Sequence, residues 1–600
     1  MIPVSAQWQK AIRQQFRYQA YLRCRIQVVP PGLVEGLQAT SDDTDSASNI
    51  SKIQNTDGKQ PTHYITCEPH RWLLDGTFVA INPGESVDDW WSTPVTSSKT
   101  LKFYFDKTYS IPGMYFEWDV VNGSYPDSIT LRGYDATGSE VQSYSVNSIS
   151  SATGFVEAPF ENVKRVELEI VSWSLPNWRA RINDIIFGLS VTYDSINNGR
   201  VMSAKTTDKS SPLSERLPTH TASTSLRNLD KEFDPSLLSG VSKYLTQKQL
   251  AEFQIGFTTK VDPNTGEATV EWTNWLPYWV DTFTIPADSK EVSISYTSRL
   301  AYLTQDFLLD PYPGTERTLY DIAELVLQNS AIVLRKEGEI PWQLSEKLKQ
   351  FKTVAPIPKD AVNSILQLIA NAGACWLHST SLDDHIAISD FFDGDTVQQV
   401  DLTSELGDPQ ISVEKQLYRV SIGLYKYTTK EESEELSKGE YTLYGRNTLN
   451  IEYNCDTATN VTCLVEGATQ VSFTPYSSSA ILVVDASEDG ATFTVTVSGK
   501  RVDNSISYLE TYRDDTVTQG EEVKIDNPFI TDAESAKLLS NWIVSWYNRK
   551  QSYVASYLGY PELTVGDRVS LETVYGITNV TVLSNKISFN GAFNGELEAR

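Results

Sequence analysis

The chain has 600 residues, far more than one hydrophobic core normally supports, so we expect three to five domains. Its net charge of −27 argues against a nucleic-acid clamp and against docking on an anionic membrane, because both need dense lysine and arginine. An acidic surface suits a passage for a polyanion, but it equally suits ordinary solubility. Tyrosine and tryptophan (30 and 14) far outnumber methionine (3), which favours strands and predicts a mainly β, multidomain fold.

Cysteine usage and the amino terminus indicate where the protein is made. The five cysteines have irregular spacings, so they predict buried thiols in a reducing cytosol and no disulfide framework, although Cys455 and Cys463 could meet across a hairpin. Residues 1–13 lack an apolar stretch, and no run approaches 18 apolar residues. We therefore expect neither a signal peptide nor a spanning helix.

The first third of the chain alternates strand patterns with one polar loop. Residues 16–29 predict a strand that the following prolines end, and residues 38–61 are a polar loop leading into an inserted module. Residues 66–188 contain short strands separated by evenly spaced turn signals. This spacing predicts an inserted β-sandwich of the jelly-roll type.

Strand patterns resume after Gly188 at 222–229, 250–257, 269–280 and 292–297. Together with the strand in residues 1–37, they predict a first β-barrel that comprises 1–37 and 189–305. The sandwich is then an insertion into that barrel.

Helical patterns appear in the next segment. Thr318 can cap a helix that runs through Gln328, and a second helix begins at Asp360 and ends at Gly373. With a following hairpin, residues 306–404 are predicted to form a small α/β domain.

Strand patterns return for the rest of the chain. Residues 405–439 and 511–600 predict a second β-barrel, which contains a helix at 531–548 that starts with a capping box of Thr531 and Glu534. Residues 440–510 predict a small β insertion.

Three segments resemble the baseplate hub, or minor tail protein, family of phages of Gram-positive hosts. The first resembles the family's strand followed by a turn, the second the helix of its α/β domain, and the third its late G-x-P-x-L-x-x-G-D element. The segments are Thr224-Ser-Leu-Arg-Asn-Leu-Asp-Lys-Glu-Phe-Asp-Pro235, Ser364-Ile-Leu-Gln-Leu-Ile-Ala-Asn-Ala-Gly373 and Tyr557-Leu-Gly-Tyr-Pro-Glu-Leu-Thr-Val-Gly-Asp567.

The resemblance implies a homotrimeric hub of a tail tip or baseplate. Two hub-type β-barrels per subunit would alternate in a ring around the tail channel and adapt the tail tube to the tip. The implied partners are the distal tail, tail-tube and tape-measure proteins, and tail fibre or receptor-binding proteins. DNA would pass through the lumen transiently, without sequence-specific binding. The protein would be made in the host cytoplasm and reside in the virion.

The sequence contains no evident catalytic motif. It has five histidines and lacks H-E-x-x-H, G-x-S-x-G and G-x-x-x-x-G-K-[ST]. A solvent-exposed turn explains His378 and His385 on either side of Asp383-Asp384 better than a metal site does. Because no credible active site is evident, we expect no enzyme activity, no metal and no cofactor. The lysozyme-like or peptidase extension of many hub relatives is missing where the chain ends at Arg600, which puts a cell-wall-cutting role in doubt.

The inserted sandwich is similar to discoidin-like carbohydrate-binding modules, with Arg71-Trp72-Leu-Leu-Asp75 ahead of its first strand. Trp90 and Trp91 are adjacent in a loop, so both cannot easily be buried, and exposed aromatic rings stack on sugars. We expect possible glycan contacts at Trp90, Trp91, Trp178 and Arg179, with core packing as the alternative. An adhesin for host cell-wall polysaccharide is therefore the alternative function, and a wall hydrolase is a third.

Overall fold

The computed structural model describes most of the chain. The described residues are 2–14, 16–28, 38–41, 63–65, 72–74, 100–118, 123–147, 149–174, 182–196, 199–231, 233, 245, 247–285, 290–312, 314–332, 340–380, 383–391, 396–400, 405–486, 491–513 and 519–600.

The described residues of the first half of the chain form one helix and fifteen strands. In chain order these are α1 (Ala6–Ile12), β1 (Ala20–Val28), β2 (Gln38–Ser41), β3 (His63–Ile65), β4 (Trp72–Leu74), β5 (Thr100–Trp118), β6 (Pro126–Tyr134), β7 (Glu140–Asn147), β8 (Thr153–Trp173), β9 (Ile182–Phe187), β10 (Leu189–Asp194), β11 (Val201–Lys209), β12 (Thr219–Arg227), β13 (Leu250–Val261), β14 (Ala268–Thr284) and β15 (Glu291–Thr297).

The described residues of the second half form three further helices, two 3-10 helices and nineteen strands. In chain order these are the 3-10 helix Arg299–Tyr302, β16 (Arg317–Thr318), α2 (Leu319–Gln328), β17 (Trp342–Leu344), the 3-10 helix Glu346–Gln350, β18 (Lys352–Thr353), α3 (Val362–Ala372), β19 (Trp376–Ser379), β20 (Ile386–Ser389), β21 (Thr396–Val400), β22 (Gln410–Val413), β23 (Leu417–Thr429), β24 (Glu434–Leu443), β25 (Arg446–Glu452), β26 (Ala458–Glu466), β27 (Thr469–Pro475), β28 (Ser479–Asp485), β29 (Ala491–Tyr512), β30 (Glu521–Ile525), α4 (Ala533–Tyr547), β31 (Gln551–Tyr557), β32 (Arg568–Thr573), β33 (Gly576–Phe589) and β34 (Phe593–Ala599).

The fold is mostly β and multidomain, with curled half-barrel sheets, which confirms the predicted fold class. A 13-stranded central sheet has the strand order β10-β1-β13-β14-β15-β12-β11-β33-β34-β31-β22, with β21 and β32 attached beside β33. We call β1 and β10–β15 the first half-barrel. We call β21–β23 and β30–β34, together with α4, the second half-barrel.

The two half-barrels meet edge to edge at β11 and β33. These strands pair antiparallel, from Ala204 opposite Phe589 to Lys209 opposite Ser584. The strands form because apolar and polar residues alternate along them, as in β12, where alternate side chains are buried. Two distant segments of the chain thus share one hydrogen-bonded sheet.

The buried side chains fall into three separate cores. One continuous core runs through both half-barrels, α1 and the α/β elements β16–β20, α2 and α3, and we call this set of elements the platform. Strands β2–β9 form a separate 8-stranded sheet in the region where an inserted sandwich is predicted, and we keep the name sandwich for this region. It encloses its own core, which includes Phe103, Phe116 and Trp118. The strands β24–β28 and the first part of β29 enclose a third core around Leu482 and Val497.

The helices follow the predicted apolar patterns, but the predicted cap of α4 is corrected. Thr318 caps α2 through a capping box with Asp321. Helix α4 is capped by Asp532, whose carboxylate accepts hydrogen bonds from the backbone of Glu534 and Ser535, so the predicted capping box starting at Thr531 is wrong. The Thr531 hydroxyl instead accepts a hydrogen bond from the backbone N–H of Val354.

Two further predictions can be compared with the described residues. Cys24, Cys375, Cys455 and Cys463 form no disulfide, while Cys67 lies outside the described part of the chain. No helix in that part is long and apolar enough to cross a membrane.

Candidate assembly surface

One face of the central sheet carries a concentration of hydroxyl side chains. On β12 and β15, Thr221 lies opposite Thr297 and Ser223 lies opposite Ser295. The alternate residues of the same strands, such as Ile294 and Leu226, point into the core and are fully buried. Because side chains alternate across a strand, the hydroxyl residues all lie on the opposite face.

This face continues across the joint between the half-barrels. Thr207 lies opposite Lys586, and Ser556 on β31 lies opposite Glu596 on β34. We call the set the hydroxyl face, and it comprises Ser203, Thr207, Thr219, Thr221, Ser223, Ser225, Thr282, Thr284, Ser293, Ser295, Thr297, Ser412, Ser552, Ser556 and Ser588.

Two lysines on this face are paired with carboxylates. Lys586 lies 2.5 Å from Glu596, and Lys209 lies 2.8 Å from Glu598. An ion-paired lysine presents little net charge to a passing polyanion. This face contains a cleft of 520 Å³ on the first half-barrel, which is lined mostly by hydroxyl side chains.

The central sheet ends at β10 on one side and at β22 on the other. Strand β22 is four residues long, and its Val413 side chain is 78% exposed. In the described part of the chain, β22 pairs only with β31. A terminal strand carries unpaired backbone groups, which makes it a place where a further strand can add.

The second of the three family-like segments lies in α3, between the half-barrels. The Asn371 amide donates a hydrogen bond to the Leu213 carbonyl, 2.8 Å away in the first half-barrel. The Asn371 amide oxygen accepts one from Asn527, 2.9 Å away, which follows β30 of the second half-barrel. The helix therefore fastens the α/β elements to both half-barrels.

The third segment, residues 557–567, also lies at a junction. The Trp275 indole of the first half-barrel donates to the Pro561 carbonyl at 3.0 Å. Gly559 has φ +71°, and a Cβ there would lie 2.9 Å from the Asn594 backbone. Gly566 has φ +87° and packs against the Trp376 ring of the α/β elements. Both glycines are thus required by backbone conformation and by close approach.

The first segment, by contrast, organises a turn within the first half-barrel. The Asn228 side chain is buried and accepts a hydrogen bond from the Phe233 backbone at 3.1 Å. Arg200 pairs with Asp230. Pro235, the last residue of this segment, lies outside the described residues.

The amino-terminal segment meets the third family-like segment at Glu562, whose carboxyl is buried. The Ile2 backbone donates to the Glu562 carbonyl at 2.8 Å, and Arg17 donates to the Gly559 carbonyl at 3.0 Å. Burial raises the pKa of the Glu562 carboxyl to about 7, although the charges of Arg17 and Arg13 act against this shift. At neutral pH this carboxyl is therefore close to its titration midpoint.

The predicted site residues are placed as follows. Trp90, Trp91, Trp178 and Arg179 lie outside the described residues, so glycan contact stays a prediction. In the turn that was predicted to be solvent-exposed, Asp383 is exposed, whereas the Asp384 side chain is fully buried against the first half-barrel. Among the described residues, no group of three or more His, Cys, Asp or Glu side chains could hold a metal ion.

The sequence analysis missed the residues that join the parts of the molecule. Asn527 and Glu562 are both fully buried, although their residue types are usually exposed. Glu562 lies within the G-x-P-x-L-x-x-G-D element, and that position is the only signal that could have singled it out. The sequence around Asn527 contains no such signal.

The structural neighbours of the chain are phage tail and baseplate proteins. The prophage MuSo2 43 kDa tail protein from Shewanella oneidensis has 11% identity and a TM-score of 0.36, and the match covers 67% of this chain and 94% of that one. A tail protein from Neisseria meningitidis MC58 has 8% identity and a TM-score of 0.34, with 69% and 93% covered. Prophage tail protein gp18 from Listeria monocytogenes EGD-e has 7% identity and a TM-score of 0.35, with 68% and 91% covered.

No protein-family model matches the sequence. A comparison with curated proteins also finds no match.

Proposed function

We propose that this chain is a non-enzymatic structural subunit of a phage tail tip or baseplate, and that three copies form a hub ring around the tail channel. The observation that carries the proposal is the hydroxyl face, which spans both half-barrels and continues across the β11–β33 joint, where Lys205, Lys209 and Lys586 lie among the hydroxyl residues. In the ring, each copy would present both half-barrels side by side to the channel.

The hydroxyl face has the chemistry that a DNA passage requires. DNA affinity comes from cations that displace the counterions of the phosphates, and it grows with each unpaired lysine or arginine. Serine and threonine hydroxyls supply no such charge, and Lys586 and Lys209 pair with Glu596 and Glu598. Lys205 is a further lysine on this face, opposite Ser223 and Ser588. DNA would slide over this surface without being retained.

The terminal strands provide a way to close the ring. Head-to-tail contacts close into a ring when the rotation between copies is a simple fraction of a turn. We propose that β22 of one copy meets the first half-barrel of the next, where exposed Val413 would be covered. The distal tail, tail-tube, tape-measure and fibre or receptor-binding proteins would then contact the rims of the ring in the virion.

The ring can be tested by its mass and by a label on the hydroxyl face. Light scattering should give three times the 67.1 kDa subunit mass, and electron microscopy should show a central hole. A gold cluster attached at S295C should lie at the hole, whereas one at S145C on β7 of the sandwich should lie at the periphery. Both variants need Cys67, Cys455 and Cys463 replaced by serine.

Two results would overturn the proposal. The first is a compact monomer at micromolar concentration, both alone and with tail-tube partners. The second is a ring in which the S295C label lies at the outer edge, because the hydroxyl face would then point away from the channel.

A second function, adhesion to host wall polysaccharide, is favoured by the separate core of the inserted sandwich, which gives it the character of an independent module. We propose glycan contacts at Trp90, Trp91, Trp178 and Arg179. Replacing Trp90 and Trp91 together by alanine should abolish binding to purified host wall polysaccharide. Absence of binding by the unaltered protein would remove this function.

A further inference from the structure

A tight turn of the α/β elements is inserted into the first half-barrel. The turn joins β19 to β20, and its Asp384 has φ +52° and no exposed surface. Within the turn, the Asp384 and His385 backbones donate to the Thr380 carbonyl and hydroxyl at 3.1 and 2.9 Å. These bonds hold a backbone conformation that is uncommon for a residue other than glycine, so the Asp384 carboxylate is held in one direction.

The first half-barrel supplies the groups that receive this carboxylate. The Trp279 indole donates to Asp384 Oδ2 at 2.8 Å, and the Arg299 backbone N–H donates to the same atom at 2.9 Å. The Arg299 guanidinium lies 3.9 Å from Oδ2 and donates to the Asp383 carbonyl at 3.3 Å. A buried carboxylate is costly unless opposite charge and hydrogen bonds compensate it, and here both are present.

A histidine of the first half-barrel, His220, belongs to the same buried group as Asp384 and Arg299, which we call the cluster. His220 in β12 is 4% exposed and stacks on Tyr278, with ring centroids 4.8 Å apart. Its Nδ1 lies 3.6 Å from Asp208 Oδ1 on the neighbouring strand β11. The titratable or charged groups around His220 are Asp208 from β11, Tyr278 from β14, Arg299 from its 3-10 helix, His378 from β19 and Asp384 from the turn.

The charges of this cluster balance only when His220 carries a proton. When both carboxyls are ionised, Asp208 and Asp384 supply two negative charges and Arg299 supplies one positive charge. Burial raises the pKa of Asp384, while Arg299, His220 and the hydrogen bonds from Arg299 and Trp279 act against this shift. Burial lowers the pKa of His378 to about 4, so His378 is neutral and contributes none. Loss of the proton from His220 leaves an excess negative charge in a site that excludes water.

We propose that His220, Asp208, Asp384 and Arg299 form a proton-controlled latch between the α/β elements and the first half-barrel. With the proton on His220, the β19–β20 turn stays seated. When the proton leaves to solvent, the turn loosens. The latch is independent of the proposed function, because it joins two parts of one subunit.

The direction of the effect follows from the position of His220. Burial acts to lower the pKa of His220, but the carboxylates of Asp208 and Asp384 outweigh burial, and the pKa lies above its usual value. A histidine with a raised folded-state pKa stabilises the fold fully below its unfolded pKa of about 6.5, and this contribution disappears as pH rises through the folded value. The latch should therefore hold at pH 6 and loosen at pH 9.

Hydrogen exchange of the full chain at pH 6 and pH 9 tests the latch directly. After correction for intrinsic exchange rates, the amides of residues 383–386 should be less protected at pH 9 than at pH 6, because the pKa of His220 is raised and its proton is lost between these two pH values. H220Q should remove this pH dependence. H385Q, which changes the other histidine beside the turn, should retain it.

Equal protection at both pH values in the unaltered protein would overturn the latch, and so would a full pH dependence in H220Q. If H220Q does not fold, the unaltered protein still gives a decisive measurement. Carbon-13 labelling of its five histidines should show a resonance, assigned to His220, that titrates with a midpoint above 6.5. A midpoint at or below 6.5 would equally overturn the proposal.

Discussion

The platform and the inserted sandwich differ in how their cores are connected. One continuous core links both half-barrels, α1 and the α/β elements, whereas the sandwich encloses its own core. A shared core makes distant segments unfold together, and a separate core allows a module to unfold alone. A mainly β chain can therefore combine a cooperative unit with a module that is energetically separate.

The way the sandwich enters the chain supports this division. Val28 at the end of β1 lies directly opposite Leu189 at the start of β10. The chain therefore leaves the platform after Val28 and returns to it at Leu189, and these two residues are paired as if they flanked a hairpin loop.

The largest expected effect comes from replacing a large buried side chain by alanine in one core at a time. Phe253 packs edge-on against Tyr278 and Tyr296, with ring centroids 5.6 and 5.1 Å apart. Phe253→Ala should cost about 3–5 kcal/mol and lower the melting temperature of the platform transition in calorimetry. Phe103→Ala, a matched change in the sandwich core, should lower only the sandwich transition. If both variants lowered the melting temperature of the same transition, the two cores would not be separate.

A pH dependence should appear in the platform alone. The folded-state pKa of Glu562 is raised to about 7, so the protonated carboxyl favours folding. Platform stability should therefore fall by up to about 3 kcal/mol as pH rises from 4.5 to above 7. Chemical unfolding followed across this range should show the slope in the unaltered protein and a flatter slope in Glu562→Gln. An unchanged slope in the variant would assign the dependence to other groups.

A smaller effect should come from the cap of α4, which belongs to the platform. Asp532→Ala removes the acceptor for two backbone N–H groups and should cost about 1 kcal/mol in the platform transition. Thr531→Ala is the matched control, because Thr531 does not accept hydrogen bonds from the first turn of α4. A larger loss from Thr531→Ala than from Asp532→Ala would contradict the assigned cap.

The smallest effect on the platform should follow from removing the sandwich altogether. Replacing residues 29–188 by a two-residue type I′ turn connects the paired residues Val28 and Leu189. The platform transition should move by no more than about 0.5 kcal/mol, because separate modules contribute nearly independently. Any binding to wall polysaccharide should disappear. Loss of the folded platform would show that the sandwich stabilises it.

The sequence predicted the class of most elements, because local patterns determine them. The alternation in β12 and the apolar stripe of α2 identified both correctly. The α4 cap was misplaced by one residue, since Thr531 and Asp532 are both good caps and only tertiary contacts decide between them.

Contacts between distant segments could not be predicted in the same way. The Asp384 turn looks polar and exposed in sequence, and its burial depends on Trp279 and Arg299 arriving from another part of the chain. The pairing of β11 with β33 also leaves no local trace, because either strand would alternate in the same way with any neighbour.

That pairing has a consequence for synthesis on the ribosome. Ala204 on β11 pairs with Phe589 on β33, which lies 589 − 204 = 385 residues later. At about 5–20 residues per second, the nascent chain waits roughly 20–80 s before the partner strand emerges. During this interval the β11 edge is open to pairing with other nascent chains. Slower translation should therefore increase misassembly between neighbouring polypeptides, and yield should depend on chaperones that cover this edge.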